Sequence, residues 1–252
     1  MTDAGVIARV HPPATRHGIR LETNRPPTLA NDQLPSLATR RGRFAAWIDL
    51  IFVDHGFLRL AYLNLHRVGG EMWRAAQPAP ADFRRLAADK GIRTVVNLRG
   101  GRDLGGLALE EEACRALGIA LVELPFRTRV APAKETIREA AALFDRIAYP
   151  ALMHCKSGAD RSGFAGALYL ILKEGRSAAE AEHQLSLRYG HLKASRAGIL
   201  DAFLERYRTE GEANGLSLLD WVETRYDPAR LQAAFKPQRL ASWLVDRVLK
   251  RE

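Results

Sequence analysis

Cysteine is scarce in this chain: Cys114 and Cys155 are the two in 252 residues. That is too few for a disulfide framework and suits a reducing cytoplasm. Long apolar runs are missing too, since no uninterrupted stretch approaches the roughly 20 residues that a membrane span requires. No apolar signal segment opens the sequence, so a soluble cytoplasmic protein is expected. The seven histidines form no H-x3-H pair and no carboxylate-flanked cluster, and neither a metal nor another cofactor is expected. Acidic residues fall short of basic ones, 29 against 38, which leaves a formal charge of +9. The excess favours acidic partners such as phosphoesters or anionic lipid, although Ala and Arg abound throughout, as GC-rich coding alone produces; nucleic acid is not expected as a partner. What remains is ordinary, with 47% hydrophobic and 27% charged residues, enough for one substantial core with appendages.

Residues 1–42 hold five prolines and scattered arginines without a helical or strand period, the pattern of a disordered basic arm. Asp3, Glu22 and Asp32 argue against a mitochondrial presequence. The stretch FAAWIDLIFVDHGFLRLAYLNL, with Asp49, Asp54, His55 and Arg59 interrupting apolar positions, predicts an amphipathic helix over 43–67 that packs on the domain, with peripheral membrane contact left open. Over 68–190 strand and helix patterns alternate. Strands are predicted at Glu71–Arg74, Thr94–Leu98, Ala120–Leu124 and Ala151–His154, and helices near 80–90, 106–117 and 134–148. Alternation of this kind implies an α/β fold with a central, mainly parallel sheet of four to five strands flanked by helices. Residues 191–252 read as a helical C-terminal extension that ends in the basic amphipathic segment RLASWLVDRVLK.

The chemistry concentrates in ALMHCKSGADRSG, residues 151–163. ALMHC supplies a strand, KSGAD a loop and RSGFAGALYLIL a helix, and such a loop offers an anion the unpaired N–H groups and positive dipole end of a helix N-terminus. Lys156, Ser157, Gly158, Ala159 and Arg161 would line that cradle. Cys155 at its base is placed to ionise, because the backbone N–H groups, the dipole and Arg161 all favour thiolate over thiol. Arg161 presents a planar pair of donors that matches two non-bridging phosphoryl oxygens. Ser162 can donate to the sulfur as it leaves, and His154 can hold the loop from behind. Together they describe phosphoryl transfer to sulfur. Cys114 lacks such company and reads as a core residue.

HCKSGADRS resembles the H-C-x5-R-S/T signature of the cysteine-dependent protein tyrosine phosphatase superfamily, and MWRAAQPAPADFRRLAADKGIRTVVNLRG is similar to the opening of small bacterial dual-specificity-like phosphatases. The resemblance spans residues 68–190. It implies hydrolysis of phosphomonoesters through a phosphocysteine intermediate, on phosphotyrosine or phosphoserine proteins or on a phosphoinositide or inositol phosphate.

The resemblance also implies an aspartate, on the loop after strand 120–124, that protonates the leaving oxygen. That loop reads PFRTRVAPAKETI, and its single carboxylate is Glu135. Myotubularin-like and Sac-type phosphoinositide phosphatases are similar to this chain in carrying an aspartate directly before the signature arginine, which offers Asp160 as the acid; an N-cap role for Asp160 stands equally open. Asp103, in the loop after strand 94–98, is the alternative acid. Arg127 and Arg129 suit a substrate with more than one negative group, though solvated surface charge accounts for them as well. Two other readings remain: a catalytically silent phosphate-binding adaptor of the same fold, and sulfur or arsenate chemistry with Cys114 as second thiol.

Overall fold

The computed structural model describes residues 37–48, 50, 62–100 and 104–237. Asp103, most of the arm over 1–42 and the segment Arg239–Lys250 lie outside the described residues. Five strands form one sheet: β1 (His66–Gly69), β2 (Met72–Ala76), β3 (Thr94–Asn97), β4 (Ala120–Glu123) and β5 (Ala151–Cys155), in the spatial order β1-β2-β5-β3-β4. β1 runs antiparallel to β2, and every other pairing is parallel. The chain steps outward from β2 to β3 and β4, then returns to place β5 between β2 and β3. The carboxyl end of β5 therefore opens at the point where the winding reverses, where α/β sheets bind ligands.

Helices α1 (Arg40–Ile48), α2 (Pro80–Lys90), α3 (Leu104–Leu117), α4 (Lys134–Arg146) and α5 (Asp160–Leu172) accompany the sheet, followed by α6 (Ala178–Glu182), α7 (Ile199–Arg206), α8 (Leu218–Thr224) and α9 (Pro228–Ala234). Strand residues alternate between two apolar clusters. Val95 and Leu152 join Phe83, Leu86 and Cys114 under α2 and α3. Val96, Met153 and Cys155 face the larger cluster built from α4, α5 and the C-terminal helices. Beyond its polar first turn α5 is apolar on all sides, and it lies buried along nearly its whole length, as such a composition requires. An edge-to-face series of rings, Phe126 on Phe164 on Phe203 on Trp221, with centroids 5.6, 5.4 and 5.4 Å apart, ties α5 to α7 and α8. Ser177 starts α6 through a capping box with Glu180, as its S-A-A-E sequence predicts.

Of the helix expected over 43–67, residues 49 and 51–61 lie outside the described residues, and the remainder is corrected in part. α1 covers Arg40–Ile48 and packs on α3 through a two-pronged ion pair of Arg43 with Glu112 at 2.7 and 2.9 Å. Tyr62–Leu65 has no regular structure, and His66–Gly69 is strand β1. The cause is local: the Gly69–Gly70 turn, with Gly70 at φ 42°, folds this segment back on β2 as an edge strand. Among the described residues no helix is long and apolar enough to cross a membrane.

Candidate active site

Cys155 ends β5 in register with Ala76 of β2 and is 2% exposed, at the floor of the loop that leads into α5. The loop is held from behind by its carbonyl groups. Asn64 donates from Nδ2 to the carbonyl of Ser157 at 3.0 Å and to that of Tyr189 at 3.0 Å. Arg74, fully buried in β2, donates from Nη2 to the carbonyls of Gly158 at 2.7 Å and Ala159 at 2.9 Å. Its Nη1 reaches the carbonyl and side-chain oxygen of Gln184 at 2.6 and 2.9 Å. In a planar trans peptide the N–H points opposite to the preceding carbonyl. With the oxygens of 157, 158 and 159 drawn outward, the N–H groups of 158, 159 and 160 turn inward and form an anion nest at the start of α5. Ala159, the N-cap, supplies no side-chain bond that would occupy them.

Gly158 sits at φ +71°, and a Cβ there would stand 2.6 Å from the backbone nitrogen of Ala76 and 2.7 Å from the carbonyl carbon of Ala75. Gly158→Ala is expected to cost on the order of 3 kcal/mol and to weaken phosphate binding, because relief of the clash must move the loop. Chemical denaturation and phosphate titration of the variant check both effects.

Electrostatics at the sulfur oppose one another. Burial pushes the Cys155 thiol up, but the charge of Arg161 and hydrogen bonds from the hydroxyl and backbone N–H of Ser162 outweigh it, and the thiol lies below its ordinary value. Ser162 also donates to the carbonyl of Ala75 at 3.3 Å. One hydroxyl proton thus has two acceptors. Arg161, in the first turn of α5, is 8% exposed. His154, directly before the cysteine, is fully buried, and its Nε2 lies 2.6 Å from Glu110 of α3, whose other oxygen accepts from Asn97 at 3.1 Å. Cys114 faces the opposite side of the sheet, 1% exposed, and burial pushes its thiol up to about 12. It is no partner for Cys155.

Asp160 departs from a capping role. It is the first residue of α5, the cap is Ala159, and the Oδ1 atom of Asp160 lies 2.7 Å from Nδ1 of His191. The division expected between residues 190 and 191 runs through this contact. In the loop after β4, Arg127 is exposed and Arg129 half-buried, while Phe126 anchors the loop on Phe164. Glu135 stands in the first turn of α4, exposed and paired with Arg138 at 3.2 Å, so it plays no part in the cradle. Asn64, Arg74, Glu110, Gln184 and His191 were not legible as site residues. Only Arg74 left a trace in the sequence, as an arginine inside the apolar strand MWRAA.

A parallel sheet whose central strand delivers a cysteine into an anion nest, with an arginine on the following helix, defines a cysteine-dependent phosphatase of the dual-specificity type. The chain belongs to the family described as PTP-NADK, DSP-PTPase phosphatase fused to NAD+ kinase, whose model matches residues 66–197, just over half of the sequence. No curated protein matches it in sequence. Among solved structures it is similar to TpbA of P. aeruginosa, with 22% identity over 63% of this chain and 91% of that one and a TM-score of 0.45. The core catalytic domain of the PP-IP phosphatase SIW14 from S. cerevisiae is similar at 17% identity over 63% and 96%, TM-score 0.47. PTPMT1 is similar at 19% identity over 60% and 99%, TM-score 0.45.

Proposed function

We propose that this phosphatase hydrolyses phosphomonoesters in two steps through a phosphocysteine at Cys155. The observation that carries the reading is the pairing of a thiol held below its ordinary value with inward N–H groups and Arg161 in one buried loop. The N–H groups and Arg161 hold the three non-bridging oxygens, and their grip strengthens as charge spreads in the transition state. Sulfur attacks phosphorus while the ester oxygen leaves with a proton from Asp160, which directly precedes Arg161 at the start of α5. Water then attacks phosphorus, and the hydroxyl of Ser162 turns from the Ala75 carbonyl to the departing sulfur. Lys156 within the loop, and Arg127 and Arg129 on the loop after β4, would suit a phosphorylated protein side chain, or a small molecule or lipid head group, with further negative charge.

Asp160→Asn tests the acid. Hydrolysis of phenyl phosphate, a poor leaving group, is expected to slow by on the order of 10²-fold, and that of a dinitrophenyl phosphate by far less. Equal losses on both substrates, or none on either, exclude Asp160 as the acid. Phosphotyrosine, phosphoserine, phosphoinositide and soluble inositol phosphate substrates, compared by kcat/KM, then rank the substrate classes, and replacement of Arg127 and Arg129 is expected to lower kcat/KM most for the most highly charged of them.

A further inference from the structure

His191 is 1% exposed and stands between two carboxylates, with Nδ1 2.7 Å from Oδ1 of Asp160 and Nε2 2.7 Å from Oδ2 of Asp201 on α7. A neutral imidazole donates from one nitrogen only, so acceptors on both sides require two protons shared along this line. With both in place the line is a carboxylate, an imidazolium and a carboxylate, inside the protein and directly behind the phosphate loop. Burial alone pushes the imidazole down, but the hydrogen bonds and charges of Asp160 and Asp201 prevail and raise His191 to about 9. The charged groups acting on His191 are those two, one from α5 and one from α7. Arg74 of β2 and Cys155 of β5 act in turn on Asp160.

We propose that His191, oriented by Asp201, stores the proton that Asp160 delivers to the leaving oxygen. The inference rests on the acid role of Asp160 proposed above, and His191 acts through Asp160 as a positioning residue that does not touch substrate. An isolated aspartate, with a pKa of about 3.9, holds a proton in roughly one molecule per thousand at pH 7. The line through His191 holds one at neutral pH in nearly every molecule. As the S–P bond forms and the ester P–O bond breaks, the Nδ1 proton passes to the Asp160 carboxylate, and Asp160 gives a proton to the leaving oxygen. Imidazolium becomes imidazole, the leaving group departs as an alcohol, and Asp160 is again a carboxylate. In the second step the oxygen of water bonds to phosphorus and the P–S electron pair returns to Cys155 as thiolate. One water proton travels through Asp160 back to His191.

The unmodified enzyme gives the first test. For phenyl phosphate, kcat is expected to fall as pH rises through about 9, where the stored proton is lost. For a dinitrophenyl phosphate, which leaves without a proton, kcat should show no such limb, and the same limb on both substrates overturns the relay. Asp201→Asn keeps an acceptor for Nε2 but removes its charge, and should move the phenyl phosphate limb down by about one pH unit. His191→Gln retains an amide donor toward Asp160 without a transferable proton. It is expected to slow phenyl phosphate on the order of 10²-fold and dinitrophenyl phosphate by a few-fold at most. Equal slowing on both shows that His191 only packs the loop and overturns the relay, even where Asp160→Asn keeps its selectivity for the poor leaving group. If Asp160→Asn lacks that selectivity as well, the acid reading itself has failed. Inorganic phosphate binding to Cys155→Ser with and without His191→Gln shows whether the cradle survives the change.

Discussion

Cys155→Ser is expected to lower kcat for phenyl phosphate by on the order of 10⁴-fold or more and to leave inorganic phosphate binding close to that of the parent. The serine oxygen fits where the sulfur sits, and the elements that fix the loop, Asn64 and Arg74, are untouched. What is lost is ionisation. Arg161 and Ser162 draw a thiol below its ordinary value, but the same field acting on an alcohol falls many units short of producing an alkoxide at neutral pH. Calorimetric phosphate titration and steady-state turnover separate the two consequences, and acid quenching of the parent during turnover should trap a phosphoenzyme that the variant lacks. The same contrast appears in alkylation at mildly acidic pH. Iodoacetamide should modify Cys155 and be blocked by phosphate, while Cys114, buried and raised to about 12, stays unmodified in the native protein. Substantial turnover by the serine variant would refute a mechanism that requires the Cys155 thiolate.

Arg74→Met is expected to destabilise the fold by about 3–5 kcal/mol and to abolish measurable phosphate binding. Methionine fills much of the volume, so the loss does not come from a cavity. It comes from the buried carbonyls of Gly158 and Gln184, which lose the donor that Arg74 gives them, while the carbonyl of Ala159 keeps only the N–H of Gly163. Burial lowers the guanidinium, opposed by Cys155, Tyr189 and Asp160, to about 10, so it stays charged at neutral pH. That charge and the thiolate of Cys155 also attract one another. Arg74→Lys keeps a charge but has one nitrogen in place of a fork and should recover little of either property. Urea unfolding, read as a lower midpoint at an unchanged slope, measures the first effect, and phosphate titration the second. A lysine variant with parental stability and affinity would refute the claim that the guanidinium fork shapes the loop.

The nest and its sulfur were legible in the sequence because their parts are contiguous: strand, loop and helix follow one another between Ala151 and Leu172. The parallel sheet was legible for a similar reason, since Thr94–Asn97 and Ala120–Glu123 are short apolar runs bounded by helical periods. β1 was not, because a four-residue edge strand with one exposed position has too little pattern to stand apart from the apolar segment before it. Asp160 shows the limit most plainly. Its position before a helix suggested a cap, yet its partner lies 31 residues on and is itself tied to a residue 10 further along. No spacing rule joins such residues; α7 has to pack against α5 before they meet. Gln184 is the same case, bonded to Arg74 across 110 positions.

The outward pull on the carbonyls of residues 157–159 has a consequence for how the protein meets its ligand. Asn64 and Arg74 hold the loop in place through contacts made on folding, so a phosphate group enters a cavity that is already shaped for it. The conformational entropy of the loop is lost when the chain folds and not again at each encounter. Association should then be fast and nearly free of a slow isomerisation phase, and the affinity of the apo enzyme for inorganic phosphate should report the rigidity of the loop itself.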